Sequence, residues 1–204
     1  MDHLVFVARD LDVGVRAIEE SFGILTAPGG QHLGVGTCNR LVGFGADQYM
    51  EIVSVDPDQP SPDRPRWFGL DTLLEPRLAT WCVQSRDLEG LVERGLAAGI
   101  DLGVTSVGGR ERPDGSTLNW TVTNPWADRA GGVIPFFIDW GDTAHPGAGL
   151  AASCSFLGLR VEHPEAEEVA RWMRVLGLDV PVLEGEAPRV IATIETPRGV
   201  VEVS

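Results

Sequence analysis

The feature that most constrains this chain is a plan that recurs along it: an apolar strand, a capping residue, an amphipathic helix of near-constant length, and a glycine. The first copy opens HLVFVARDLD, and Leu11, Val15, Ile18 and Phe22 recur at helical spacing between Asp10 and Gly23. The second opens ATWCVQSRDLEG, with Leu88, Leu91, Val92 and Leu96 between Asp87 and Gly99. The third opens SFLGLRVEHPEA, with Val169, Ala170, Met173 and Leu176 between Pro164 and Gly177. From cap to glycine the distances are 13, 12 and 13 residues. This spacing predicts a helix buried along one face. An aspartate at its start accepts from the free N–H groups there, and a proline fits the same turn. A glycine ends it in the left-handed conformation.

Three further strand candidates follow each helix. They lie near Leu25, in TCNRLVGFG and in QYMEIVSV; then near Leu102, in TLNWTVTNP and in VIPFFIDWG; then in VPVLEG, RVIATIETP and GVVEVS. The expected fold is α+β, made of repeated βαβββ modules over residues 1–55, 77–146 and 152–204. A single module would leave an apolar sheet face bare, whereas two side by side curl around a shared cleft and bury it. The third module packs against that pair or completes a sheet across a homodimer. The link from Asp56 to Arg66 holds four prolines among charged residues, which favours an extended spacer.

Composition narrows the partners. A formal net charge of −14 argues against nucleic acid and against anionic membrane, because phosphate binding needs clustered positive charge. Lysine is absent, which removes Schiff-base and P-loop lysine chemistry. Cys38, Cys82 and Cys154 are too few and too irregular for a disulfide framework or a thiolate zinc site. The start of the chain has no basic segment followed by a long apolar one, so no export signal is expected and a cytoplasmic location follows. The expected partner is a small molecule.

The stretches DHLVFVARDL, GGQHLGVGTCNRLVGFGADQYMEIV and IPFFIDWGDTAHP, with an acid-terminated strand closing a βαβββ unit, resemble the vicinal-oxygen-chelate (glyoxalase/bleomycin-resistance) superfamily and its glyoxalase-like branch. The resemblance covers residues 1–146, with the remainder similar only as a weaker third module. It implies a cleft between paired modules, with a divalent metal (Zn, Mn, Fe or Ni) held by residues of the first and last strands of each. His3 and Glu51 match those positions in the first module, Thr80 and Asp139 in the second, Leu157 and Glu202 in the third. The full His/Glu set is therefore incomplete.

Several residues are candidates on their own chemistry. His3 shares a strand face with Val5 and Val7, and Glu51 shares one with Tyr49 and Val53. A carboxylate amid Tyr49-Met50-Ile52-Val53 is costly to bury without a partner, so His3 and Glu51 form either a metal or catalytic site or a pair tying two strands. His32, in the glycine-rich GGQHLGVGT, either completes a metal set, shuttles protons near neutral pH, or marks a plain connection. Asp139 is a third ligand, a general base, or a strand-end acid facing water. Asn39 suits a substrate carbonyl, and Arg40 an exposed position or a carboxylate partner. Tyr49, Trp120 and Trp140 are expected near the cleft as ligand-binding aromatics. His145 either folds over the cleft or points outward, and His163 reads as surface. Cys38 has no neighbour in sequence to lower its pKa.

Two functions lead for this set, ahead of a structural or regulatory module using the same cleft. One is a metal-dependent lyase, isomerase or dioxygenase acting on a small oxygenated metabolite, with Glu51, Asp139 and His32 catalytic and His3, Glu51, His32 and Asp139 around the ion. The other is a non-catalytic protein that sequesters a small molecule in the cleft.

Overall fold

The computed structural model describes residues 1–45, 47–111 and 117–204, with only the backbone of residue 111. The chain runs β1 (His3–Val7), α1 (Leu11–Phe22), β2 (Ala27–His32), β3 (Thr37–Gly45), β4 (Gln48–Val55), then β5 (Arg77–Gln84), α2 (Leu88–Ala97), β6 (Ser106–Glu111), β7 (Thr117–Val122) and β8 (Phe136–Asp139). The last part is β9 (Ser155–His163), α3 (Ala166–Val175), β10 (Val182–Glu184), β11 (Arg189–Thr196) and β12 (Gly199–Val203). The fold is thus mixed α and β. No helix among the described residues is long and apolar enough to cross a membrane.

Eight strands close a barrel in the order β1-β4-β3-β2-β6-β7-β8-β5. Antiparallel pairing of β1 with β5, from His3 opposite Cys82 to Val7 opposite Arg77, joins the two halves along one seam. Among the described residues, the other seam, between β2 and β6, is joined at the pair Gln31 with Glu111. Alternation along each strand sorts the side chains into two cores. Val5, Val7, Val53, Cys82, Phe136 and Ile138 fill the barrel interior. Leu4, Phe6, Met50 and Ile52 face outward, onto Ile18 and Phe22 of α1 and onto Val190, Ala192 and Ile194 of β11.

The helices start and stop where the capping chemistry dictates, with instructive exceptions. Asp10 accepts from the Val13 amide at 3.0 Å, and Asp87 from that of Gly90 at 3.1 Å. In α2 the buried face is Leu88, Leu91 and Gly95, while Leu96, expected on the stripe, is 63% exposed. The reason is close packing: a Cβ on Gly95 would lie 3.0 Å from the Ile100 carbonyl oxygen. Pro164 precedes the cap of α3 rather than providing it. The ring of His163, buried and not at the surface, accepts from the Glu165 amide at 3.0 Å and holds that turn.

The second strand of each barrel half lies later than expected. Leu25 is exposed, and β2 forms on APGGQH, the glycine-rich stretch that reads as a loop. Glycine is needed there, because a Cβ on Gly29 would lie 2.1 Å from the Asn39 Oδ1 atom.

The third set has the same order of elements but a different sheet, β10-β9-β11-β12. In each barrel half the first strand pairs with the last; here β9 lies between β10 and β11 and does not touch β12. Leu157 is consequently exposed, and Glu202 is an exposed partner of Arg160, both away from the barrel interior. This sheet packs on the outside of the barrel within the same chain. Between the two runs a strap, with a short turn at Pro146–Gly149, crosses β3, and Ala152 bridges to Gly43. A Cβ on Gly43 would lie 2.4 Å from the Ala151 carbonyl oxygen and 2.8 Å from Leu150 Cβ. We expect Gly43→Val to destabilise the protein by about 1–3 kcal/mol. Gly149→Val, with open space around its Cβ, should change stability by less than about 0.5 kcal/mol. Urea denaturation midpoints of the two variants test this.

Candidate functional site

The strand alternation that fills the barrel with valines also brings polar side chains to one end of it. His3 lies opposite Tyr49, and Val5 opposite Glu51, across the parallel β1–β4 pair. Asn39 and Leu41 of β3 face the same way. They border a cavity of about 550 Å³, its open mouth included, whose other walls are Trp67, Phe68, Trp120, Phe136 and Trp140, with His32 and Arg110 on the β2–β6 side. The space is a slot walled mostly by rings.

A chain of hydrogen bonds orients the polar end. Asp2 is 3% exposed, and its Oδ1 atom lies 2.6 Å from His3 Nδ1. Its Oδ2 atom accepts from Trp140 Nε1 at 3.0 Å and lies 3.0 Å from His145 Nε2. Burial raises the Asp2 pKa, but the bonds from His145, His3 and Trp140 more than offset this and hold it well below the usual carboxylate range. With Nδ1 facing Asp2, His3 presents Nε2 to Glu51, 3.7 Å from Oε1. The other Glu51 oxygen, Oε2, accepts from Asn39 Nδ2 at 2.8 Å. Asn39 cannot turn over, because its Oδ1 atom already accepts from Gly30 N at 2.8 Å and from Arg110 Nη1 at 3.1 Å. Glu51 thus has one anchored oxygen and one turned to His3.

Aromatic rings enclose the rest. Tyr49 stacks on His3 with centroids 4.7 Å apart, and burial pushes its hydroxyl pKa well up, so it stays protonated. Trp120 meets Trp140 edge-on at 5.6 Å, over Gly108, where a Cβ would lie 2.5 Å from the Trp120 indole nitrogen. His32 lies against Trp67 and hydrogen-bonds through Nδ1 with Thr37 Oγ1 at 3.0 Å. Burial, aided by the charges of Arg110 and His3 and opposed by Glu51, lowers the His32 pKa to about 4. His32 is therefore a neutral wall residue at pH 7. His145 folds back over the cavity end, against Tyr49 and Trp140.

The structure brings His3, His32, Asn39, Tyr49, Glu51, Trp120 and Trp140 to one cavity, and leaves Asp139 out. Phe136, Ile138 and Trp140 point inward, so Asp139, one residue out of phase, points away and accepts from its own Gly141 amide at 2.8 Å. The residue in register with Glu51 is another. Asp10 and Asp87 align β1 with β5, so Val5 matches Cys82; Val5 pairs with Glu51 and Cys82 with Phe136. Phenylalanine thus stands where the second carboxylate would be. Thr80, the counterpart of His3, spends its hydroxyl on the Gly132 carbonyl at 2.8 Å. Arg40 ties Thr26 through its carbonyl at 2.7 Å, and burial raises the Cys38 thiol to about 11.

This donor set does not fit a resident metal ion. Catalytic zinc sites take about three protein ligands, whereas among the described residues the cavity brings His3 Nε2 and Glu51 Oε1 together, with His32 outside any group of three donors within 4.8 Å of one another. Among the described residues, the one group of three His, Cys, Asp or Glu donors within 4.8 Å of one another is Asp2, His3 and Cys82. Asp2 and Cys82 lie behind the cavity wall, and both Asp2 oxygens are already bonded. Burial, with the charges of Asp2 and Glu51, pushes the Cys82 thiol pKa well up.

A barrel of this order with a His/Glu end defines a class, and sequence comparison agrees. The family described as glyoxalase-like domain matches residues 1–177. The chain belongs to that family, within the vicinal-oxygen-chelate superfamily. No curated protein matches it. A hypothetical protein from Staphylococcus aureus is 14% identical with a TM-score of 0.60, over 98% of this chain and 83% of that one, and shares the fold. The methylmalonyl-CoA epimerase of Mycobacterium tuberculosis is 17% identical with a TM-score of 0.42, over 68% of this chain and 85% of that one. That of Streptomyces coelicolor, in complex with 2-nitronate-propionyl-CoA, is 16% identical with a TM-score of 0.44, over 72% and 97%. Neither of these partial likenesses carries an argument about chemistry here.

Sequence reasoning passed over Asp2, Trp67, Phe68 and Arg110, all of which border or orient the cavity. The adjacent Asp2-His3 pair at a strand start was a readable signal. Phe68 reaches the cavity only because its φ is 58°, a local bend that its sequence does not announce. His32 has a pH consequence. Its folded pKa of about 4 lies below the ordinary 6.5, so the unfolded chain takes the proton first as pH falls. The stability it contributes is complete above pH 6.5 and is lost on the way down to about 4. We expect a loss of up to about 3 kcal/mol across this window, and a flatter profile in His32→Gln. Urea melts at about pH 7, 5.5 and 4.5 read it out.

Proposed function

We propose that the protein is an enzyme that moves a proton on a small, flat, oxygenated substrate, as an isomerase or lyase, with Glu51 as the base. The observation that carries this reading is the Asp2–His3–Glu51–Asn39 chain, which anchors one Glu51 oxygen on Asn39 at 2.8 Å and leaves the other facing the His3 ring at 3.7 Å inside an apolar slot. A carboxylate buried in such surroundings costs stability unless it is paired and hydrogen-bonded, a cost that functional sites carry. Glu51 would take the proton next to a carbonyl, and His3, oriented by Asp2, would receive or return it. The Arg110 guanidinium, held on Asn39, supplies positive charge beside the oxyanion that forms. The slot between Trp67, Trp120 and Trp140 suits a planar body and excludes water. Residues 1–55 and 77–146 act in this reading as the two modules around the cavity, and 152–204 as a buttress outside it. Divalent metals are common in the superfamily, but His3 and Glu51 alone give a weak site, so we assign no step to one. The three free thiols suit a reducing compartment such as the cytoplasm.

A second reading is favoured by Phe136 in the place of the second carboxylate: a binding protein that holds its ligand in the aromatic slot without chemistry. The two separate as follows. Small carbonyl compounds that raise the melting temperature are incubated with protein in heavy water, and loss of their exchangeable proton signals is followed by NMR. Wild type should catalyse exchange, and Glu51→Gln should slow it by about a hundredfold or more while keeping the thermal shift. Ligands that bind wild type without any exchange would leave the binding protein. Elemental analysis of the same preparations should give well under one divalent ion per chain; near-stoichiometric metal lost in His3→Ala would restore the metal mechanism.

A further inference from the structure

A second pocket lies behind the first, and its chemistry is opposite in sign to the rest of the molecule. Arg129, in the turn before β8, is 4% exposed. Its Nη1 donates to the carbonyls of Asn124 at 3.0 Å and Ala127 at 3.3 Å. Its Nε is buried with no hydrogen-bond partner. Among the described residues no carboxylate lies within 4.0 Å of this guanidinium, although the chain carries 30 acids against 16 arginines. Burial lowers its pKa only to about 10, so it is charged at neutral pH. An unpaired buried cation is costly, and proteins pair such groups or reserve them for an anion.

The surroundings match the second use. Arg129 lines a pocket of about 770 Å³, mouth included, together with Arg77, Phe68, Pro125 and Trp126. Arg77 is exposed and forms no ion pair among the described residues. Arg66 also borders the pocket but is engaged by Asp71 at 2.6 Å and the Gly36 carbonyl at 2.9 Å. Asp128, the acid at the rim, is turned toward the Gly131 amide at 3.4 Å. Phe68 and Pro125 border both this pocket and the Glu51 cavity, so the two lie back to back.

We propose that this pocket is an oxyanion-binding site in which Arg129 and Arg77 take a carboxylate or phosphate group. Nε and Nη2 form one edge of the planar fork; Nε meets no acceptor among the described residues, and two parallel donors on one edge suit two oxygens of a single oxyanion. The site is independent of the reaction proposed for Glu51 and rests on different residues.

Isothermal titration of the full chain with sodium phosphate, and separately with sodium acetate, at ionic strength held constant with chloride, tests it. Saturable binding of at least one probe is expected, and which one binds tells a phosphoryl from a carboxyl ligand. Arg129→Gln should weaken it by about tenfold or more, and Arg77→Ala by about threefold or more. Absence of saturable binding by both probes overturns the proposal, as does wild-type affinity in both variants. Arg129 also holds two carbonyls, so Arg129→Gln is checked by circular dichroism. If it does not fold, Arg77→Ala decides alone, and unchanged affinity there overturns the site.

Discussion

The carboxylate of Asp2, sealed inside the protein, binds together parts of the chain that are far apart in sequence. It meets the neighbouring His3, the indole of Trp140 at the end of the second barrel half, and the ring of His145 in the strap that follows. A charge at this depth is tolerated only when several donors surround it, and these come from three different places. Satisfying Asp2 therefore sets the His3 ring, closes the strap over one end of the barrel and positions the wall that Trp140 provides.

The two barrel halves have the same strand order and, Arg110 of β6 aside, opposite chemistry at the slot. The first contributes His3, Asn39 and Glu51; the second contributes Thr80 and Phe136 at the matching places and lines the slot with Trp120, Ile138 and Trp140. Polar groups at one wall and rings at the other give a ligand both an orientation and a dry environment, in which an electrostatic interaction is stronger than in water. Glycine makes the slot possible. Gly29 and Gly108 lack side chains where Asn39 and Trp120 cross the backbone of β2 and β6.

Much of this was legible in the residues. The helix stripes, their aspartate caps and the alternation of His3-Val5-Val7 and Tyr49-Glu51-Val53 follow from local periodicity, which the chain expresses residue by residue. β2 and β6 were not legible, because SVGGRE and APGGQH lack apolar alternation; they are strands on account of what crosses them. Asp139 reads as the counterpart of Glu51 because the resemblance puts an acid on the last strand of each module. Register decides otherwise: a residue one step out of phase faces the other side of the sheet, and Phe136 takes the inward place.

Residue types and their local spacing suffice for the helices, most of the strands, the membership of a pattern with a His/Glu end, and the exclusion of lysine chemistry. These depend on residue type and on spacing within about twenty residues. Only tertiary contacts put the third set of elements in a different sheet outside the barrel, set His3 against Asp2, place Phe136 where a second carboxylate would stand, and bury Arg129 without a counter-ion among the described residues. Each of these depends on which strands pair and in which register, and that is settled by contacts between residues far apart in the chain.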